Sequence, residues 1–247
     1  MHETILFIAT FVVGVIASTI GTLVGGGSLI SIPFLIFLGL PPQMAIATDR
    51  FGGLGQLTAL YKFWKSKKII WKFVFLFSVL SLAGSLIGSH LLLQINPSIL
   101  KSVIGALMLI LLPVIFLKRN IGVQPSEVHG IKKILGCIIY FCVQIYAGFF
   151  GAGSGTLIFY TMMSFFGLTI TEASATQIIP VTILDIASLI VFASHGLINY
   201  KIGFLFLAGT ATGGYIGSHI ALKKGDKWIK QLFAFIVIAL VIKLLFF

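Results

Sequence analysis

Two copies of one glycine-rich apolar sequence lie 128 residues apart in this chain of 247 residues. The first copy runs from Gly25 to Thr48 and the second from Gly153 to Thr176, and ten of the 24 aligned positions are identical. Each copy begins with a glycine cluster that interrupts an apolar segment. Hydrophobic segments interrupted at matching places in two halves of a chain indicate the binding site of a secondary transporter.

The composition places the chain in a membrane. Hydrophobic residues make up 58% of it and charged residues 9%, whereas soluble domains carry about 25% charged residues. Several apolar runs reach the roughly 20 residues that cross ~30 Å of hydrocarbon. The first, which starts at Thr4 with no basic region before it, is predicted to be a permanent helix and not a cleaved signal peptide. The predicted apolar segments are 4–24, 26–38, 42–61, 70–93, 98–117, 131–150, 154–168, 171–194, 201–222 and 229–247.

The basic residues indicate how the segments are oriented. Thirteen of the 17 lysines and arginines lie in the stretches 62–72, 118–133 and 222–230, which the positive-inside rule places in the cytoplasm. The stretches 94–98 and 195–200 contain no lysine or arginine, and each is the counterpart of a lysine-rich stretch in the other half. Because the charge pattern reverses between halves of matching sequence, it predicts an inverted-topology repeat.

The predicted fold is therefore an all-α integral membrane protein of two inverted halves, each with a re-entrant, broken helical hairpin and three spanning helices. The segments 26–38 and 154–168 are too short to span comfortably, so each is expected to fold back against its predecessor. The predicted organisation is repeat 1 over 1–117 (hairpin 4–38, helices 42–61, 70–93 and 98–117), a cytoplasmic linker at 118–130, and repeat 2 over 131–247 (hairpin 131–168, helices 171–194, 201–222 and 229–247).

A second internal match concerns helix packing. The sequence Ile-Gly-Ser-His occurs at 87–90 and again at 216–219. Its glycines form the pairs Gly84/Gly88 and Gly213/Gly217, whose four-residue spacing lets membrane helices approach closely. The histidines that follow are expected to be interfacial residues, with a role as proton carriers as the alternative.

The glycine clusters are the first part of the predicted binding site. Glycine permits a non-helical backbone, and the amides and positive dipole end of a helix N-terminus suit an anion. Two such ends near the midplane would form an oxyanion cradle, and the alternative is a tight helix crossing without a ligand. The candidate residues are Gly26, Gly27, Ser28, Gly153, Ser154, Gly155 and Thr156.

Polar residues in the helices after the hairpins complete the predicted site. Thr48, Asp49 and Arg50 lie about eight residues into their segment, and an intramembrane arginine indicates a functional site. The planar fork of Arg50 suits a carboxylate, sulfonate or sulfite; alternatively, Arg50 pairs with Asp49 or Asp185 only to hold helices together. Thr176 and Gln177 align with Thr48 and Asp49, and Asp185 is a candidate for proton coupling or for the counter-ion of Arg50.

The duplicated sequence resembles the TauE/SafE sulfite-exporter family, also called TSUP permeases. The resemblance covers nearly the whole chain and includes the glycine cluster, a leucine two positions later, a Gly-Leu pair, and the Ala-x-Ala-Thr that opens the next helix. It implies a secondary transporter of small sulfur-containing anions, such as sulfite or an organosulfonate, with an inverted repeat and paired re-entrant hairpins. One departure is Thr161, which stands where the first copy has Pro33.

These patterns together predict a multi-pass anion permease of the cell membrane that works by alternating access. The net charge of +11 is attributed to topology, so no nucleic-acid partner is predicted; the expected partners are a small anion, which protons could accompany, and the bilayer, and a homodimer is left open. No metal or cofactor motif is evident, and Cys137 and Cys142 form neither a metal pair nor a redox motif. The alternatives are a passive channel, a non-transporting assembly protein, and an intramembrane enzyme using Ser28 or Cys142 with His90.

Overall fold

Helices make up the architecture of the chain. The computed structural model describes residues 2–96 and 122–246, and within them no strand occurs. Four of the helices are long and apolar enough to cross a membrane. The helices are α1 (His2–Val24), α2 (Ser28–Phe37), α3 (Pro42–Gly53), α4 (Thr58–Lys65), α5 (Trp71–Gln94), α6 (Ile131–Phe149), α7 (Ser154–Phe166), α8 (Ile170–Ser194) and α9 (Tyr200–Phe246).

Both predicted glycine interruptions are present. Gly25, with a φ of +79°, separates α1 from α2, and Gly151 and Gly153, with φ values of +84° and +76°, separate α6 from α7. Positive φ is a conformation that glycine adopts without steric cost, so these residues end one helix and allow the next to begin in a new direction. At 10 and 13 residues, α2 and α7 would be about 15 and 20 Å long.

Glycines also set the closest contacts between long helices. A Cβ on Gly88 of α5 would overlap the carbonyl of Ile145 in α6. A Cβ on Gly213 of α9 would likewise overlap the carbonyl of Val15 in α1. The packing role predicted for the two glycine pairs is therefore confirmed. Each pair packs against the first helix of the other half of the chain.

The segment predicted as one helix at 42–61 is longer and less regular than expected. It comprises α3, a 3₁₀ turn at Leu54–Leu57, and α4, which ends at Lys65. Three glycines lie within four positions at this turn, at 52, 53 and 55. Gly55, inside the turn, lies against the backbone of Leu207 in α9. Residues 62–65, predicted as part of a loop, are helical, because lysine and aromatic residues are compatible with a helix.

The helix boundary predicted within 222–230 is present, but the connection is shorter than expected. Residues 201–222 and 229–247 were expected to be separate helices, and α9 consists of two helices that meet at a single non-helical residue, Gly225 (φ 75°, ψ 175°). The lysines around Gly225 do not disfavour a helix, so only the glycine breaks the regular backbone.

Backbone hydrogen bonds fix the described part of the connection between the halves. Residues 122–130 are non-helical, as predicted, while the predicted helix 98–117 and residues 118–121 lie outside the described residues. The amide of Ile170 donates to the carbonyl of Gly122 (2.9 Å), and the amide of Ser126 donates to that of Gly167 (3.0 Å). These bonds hold the connection against the turn between α7 and α8, where Thr169 and Glu172 form a reciprocal cap of α8.

The distribution of side chains is that of a protein in lipid. Large apolar residues face outward, among them Phe75 (80% exposed) and Ile131 (83% exposed). Many buried side chains are polar, including serines and threonines of every long helix except α6. An exterior of large apolar side chains, together with the four apolar helices, is consistent with a multi-pass membrane protein.

Candidate functional site

The two glycine interruptions touch each other. A Cβ on Gly25 would overlap the carbonyl carbon of Gly155, and a Cβ on Gly155 would overlap the carbonyl oxygen of Gly25. Beside this contact, the hydroxyl of Thr156 donates to the carbonyl of Val24 at 3.2 Å. The last turn of α1 leaves carbonyls without partners within the helix, and the opposite hairpin supplies one. The two hairpin tips therefore form one structural unit.

A cavity of about 80 Å³ lies at this junction. It exceeds the ~10–15 Å³ that a single water molecule requires. Its walls come from both halves of the chain. The lining residues are Ala17, Ser18, Gly21, Gly25, Gly27, Ser28, Ser31, Asp49, Arg50, Gly53, Gln56, Ala147, Ser154, Gly155, Ile158, Gln177, Val181, Leu184, Asp185, Phe206 and Thr210.

Arg50 is held on the cavity wall by groups from the second half. Its Nη1 lies 3.2 Å from Oδ1 of Asp185, and its Nη2 donates to the carbonyl of Ala147. Ala147 belongs to the last turn of α6, whose carbonyls lack helical partners and attract positive charge. Gly151 leaves room for the guanidinium, because a Cβ there would overlap it. The pairing of Arg50 with Asp185, one of the two alternatives, is therefore present.

Asp49 points elsewhere, as adjacent helical residues do. Its Oδ1 accepts a hydrogen bond from the hydroxyl of Ser31 in α2. Asp49, Arg50 and Asp185 are 5%, 6% and 5% exposed, so all three are withdrawn from solvent. They are the charged residues among those that line the cavity, and with every group ionised their formal sum is one negative charge.

The backbone amides at the hairpin tips are less available than the sequence suggests. In the first tip, the amides of Leu29 and Ile30 donate to the carbonyls of Gly26 and Gly27. In the second tip, the amides of Ser154 and Thr156 donate to the glycine carbonyls three residues earlier. Turn formation thus uses some of the amides that were predicted to bind an anion. Side chains therefore supply a larger part of the free polar groups at the cavity than the sequence suggests.

The structure brings together eight of the thirteen predicted site residues. Those that line the cavity are Gly27, Ser28, Asp49, Arg50, Ser154, Gly155, Gln177 and Asp185. Those that lie outside its lining are Gly26, Thr48, Gly153, Thr156 and Thr176. The hydroxyl of Thr48 instead accepts from the amide of Asn199 (3.1 Å), and that of Thr176 from the amide of Ile70 (3.0 Å).

Four polar residues of the cavity were not anticipated: Ser18, Ser31, Gln56 and Thr210. Ser31 follows Ser28 by three residues, and this helical spacing on one face could have indicated it. Ser18 and Gly21 of α1, and Gly25 just after it, likewise recur at helical spacing as small residues. Three buried polar atoms of cavity residues have no hydrogen-bond partner among the described residues: the hydroxyl of Ser18, the side-chain oxygen of Gln177 and Nε of Arg50. The cavity therefore has donors and acceptors that could bind a ligand.

The residues considered as nucleophile and base of an intramembrane enzyme lie in different places. His90 is exposed, and its ring lies 2.7 Å from the carbonyl of Leu86 in its own helix. Cys142 is exposed, whereas Ser28 lines the cavity. The two candidate nucleophiles and the candidate base therefore do not share one site.

The fold and the cavity define the class of the protein: a multi-pass α-helical membrane protein with a cavity between two interrupted helices, lined in part by buried charged residues. Comparison with known proteins identifies the family. The family model "Sulfite exporter TauE/SafE" matches residues 10–244, and the chain belongs to this family of membrane transporters.

Curated relatives match along almost their whole length. A Haemophilus influenzae protein named "probable membrane transporter protein" is 27% identical over 223 residues, which cover 90% of this chain and 88% of that protein. YfcA of Escherichia coli K12, named likewise, is 25% identical over 247 residues, with coverage of 100% and 92%. YunE of Bacillus subtilis, also named so, is 25% identical over 269 residues and covers 97% of each chain. No solved structure matches the chain.

Proposed function

We propose that this protein is a secondary transporter that moves a small sulfur-containing anion, such as sulfite or an organosulfonate, across the cell membrane by alternating access. The observation that carries the proposal is the cavity at the contact of the two interrupted helices, with the buried Arg50 in its wall. Family membership supports it, because the family model bears the name of a sulfite exporter and the relatives are named probable membrane transporters.

Arg50 is the proposed anion ligand. A guanidinium offers paired N–H donors whose geometry matches an oxyanion, and Nε of Arg50 has no hydrogen-bond partner among the described residues. In the structure its Nη1 contacts Asp185. An anion that enters the cavity therefore competes with Asp185 for Arg50, and Asp185 serves as the counter-ion of the empty site.

This competition implies that protons accompany the anion. The three charged side chains already sum to one negative charge, and an added anion would increase the uncompensated charge in a poorly solvated site, which is costly. Protonation of the displaced Asp185 removes one negative charge. We therefore propose Asp185 as the coupling residue, facing Arg50 and Asp49, with Asp49 retained by Ser31.

The helix contacts support the inverted arrangement that alternating access requires. Gln43, at the start of α3, donates to the carbonyls of Leu92 (3.1 Å) and Ile95 (3.0 Å), at the end of α5. Thr176, near the start of α8, accepts from Ile70, just before α5. Equivalent helices of the two repeats thus begin at opposite ends of α5, and we place the lysine-rich stretch 62–72 in the cytoplasm.

Flux into proteoliposomes tests the proposal. We expect the protein to carry sulfite with saturation and counterflow, which a passive channel would not show. Arg50→Ala should reduce this flux at least tenfold, and Arg50→Lys should restore it only in part, because an ammonium lacks the fork. Lys65→Ala, which removes an exposed lysine, is the matched control. Full sulfite flux by a correctly folded Arg50→Ala protein would remove Arg50 from the site; no flux of any tested sulfur oxyanion by the unmodified protein would refute the proposed function.

A further inference from the structure

The threonine that closes each copy of the duplicated sequence makes the same kind of contact with the opposite half. Thr48 in the first half accepts a hydrogen bond from the amide of Asn199, just before α9. Thr176 in the second half accepts one from the amide of Ile70, just before α5. Both threonines are fully buried. The amides at a helix start have no partner within the helix, so each threonine caps a helix of the other half.

The two contacts lie at opposite ends of the molecule. Ala47, next to Thr48, packs in an apolar cluster with Leu92 and Phe192, near the ends of α5 and α8. Ala175, next to Thr176, packs in another cluster with Phe73, near the start of α5. Residues 176 and 192 are separated by 16 helical positions, or about 24 Å.

Each contact is directly connected to the cavity. Thr48 is followed by Asp49, and Thr176 is followed by Gln177; both following residues line the cavity. A displacement of either capped helix start would therefore be transmitted to the cavity wall through a single peptide bond. The two contacts are closed together in this structure, with the cavity between them.

We propose that the pairs Thr48–Asn199 and Thr176–Ile70 are latches that close the cavity toward opposite membrane faces. The inference rests on the proposed alternating-access function and adds the residues that control it. Release of the first latch opens the cavity toward the stretch 195–200. Release of the second opens it toward the stretch 62–72, and during transport the two latches open in turn.

Side-specific labelling of the cavity tests the proposal. Ser18→Cys provides a thiol in the cavity wall, in a Cys137→Ser/Cys142→Ser background, and a membrane-impermeant thiol reagent is added to either face of oriented vesicles. Valine preserves the shape of threonine but lacks the acceptor. One hydrogen bond changes an equilibrium by about fivefold, so Thr48→Val should raise labelling about fivefold from the face of 195–200 only. Thr176→Val should do so from the opposite face only.

Two kinds of control separate latch release from general loosening. Thr48→Ser and Thr176→Ser retain the acceptor and should label like the parent. Thr161→Val removes a buried hydroxyl that bonds within its own helix, to Leu157, and should alter labelling from neither face. Unchanged labelling in both valine variants, or an equal increase from both faces, would overturn the proposal.

Amide hydrogen exchange provides a measurement that is independent of the reporter and of any substrate. Loss of the Thr48 acceptor should accelerate exchange about fivefold in the peptide around Asn199 and leave the peptide around Ile70 unchanged; Thr176→Val should do the reverse. If the valine variants do not fold, the alanine variants are measured in the same way. Slow exchange at both sites in the variants would refute the latches, whereas side-specific opening without sulfite flux would refute only the proposed function.

Discussion

The buried Arg50–Asp185 pair leads to a quantitative prediction about stability. Removing one partner of such a pair leaves an uncompensated buried charge and typically costs 3–5 kcal/mol. After Asp185→Leu, the guanidinium would keep its bond to Ala147, which favours the lower end, about 3 kcal/mol. For a chain of this size each kcal/mol lowers the melting temperature by about 2–4 °C, so we expect a decrease of about 6–12 °C.

The double variant makes the prediction specific to the pair. Replacement of both charges by apolar residues is often neutral, so Arg50→Met combined with Asp185→Leu should melt within a few degrees of the parent. The assay is thermal unfolding in one detergent, with all variants at one heating rate. Glu127→Gln, at a side chain that is 92% exposed, is the control and should not change the melting temperature.

The double-mutant cycle also defines the result that would refute this reasoning. If Asp185→Leu alone shifts the melting temperature by less than 2 °C, the pair contributes little to the fold. If the two single decreases add in the double variant, Arg50 and Asp185 act independently. Either outcome would contradict the role of Asp185 as the counter-ion of Arg50.

Two further predictions concern the glycine contacts. Gly155→Ala should lower the melting temperature and sulfite flux, because its Cβ would overlap Gly25 and overpacking costs typically about 1–3 kcal/mol. Gly26→Ala is the control, because its Cβ would have no neighbour closer than 3.6 Å. It should change neither the melting temperature nor the flux in the same assays. Gly88→Ala should also lower the melting temperature, because its Cβ would overlap the carbonyl of Ile145; an unchanged melting curve would show that α5 and α6 can separate without cost.

Helix breaks and close packing could be predicted from the sequence because their signals are local. A glycine cluster in an apolar run changes the backbone wherever it occurs, so Gly25 and Gly153 marked the interruptions correctly. Charge was a weaker guide to loops. The lysines at 222–230 indicated a boundary, and two helices do meet there, but lysine is compatible with a helix, so the connection is the single residue Gly225 and not a loop.

The composition of the cavity was predictable only in part, because it depends on how each helix is rotated about its axis. The sequence offered both Asp49 and Asp185 as partners of Arg50, 1 and 135 positions away; adjacent positions on a helix point apart, but only the tertiary arrangement shows that Asp185 reaches Arg50. Thr48 and Thr176 were expected to face the ligand because they are polar at membrane depth. Their hydroxyls instead meet helix starts of the other half, a contact that requires the tertiary arrangement.

The duplicated positions and the charged positions have different roles in the proposed mechanism. Where the copies are identical, as at the closing threonines, the residues make structurally equivalent contacts. Each charge of the cavity lies where the copies differ: Arg50 aligns with Ile178, Asp49 with Gln177, and Asp185 with Leu57. In the proposed mechanism, the repeated scaffold opens toward either face in turn, whereas the unmatched charges form the one anion site. Substrate preference should therefore change with substitutions at the unmatched charged positions, and sidedness of access with substitutions at the matched threonines.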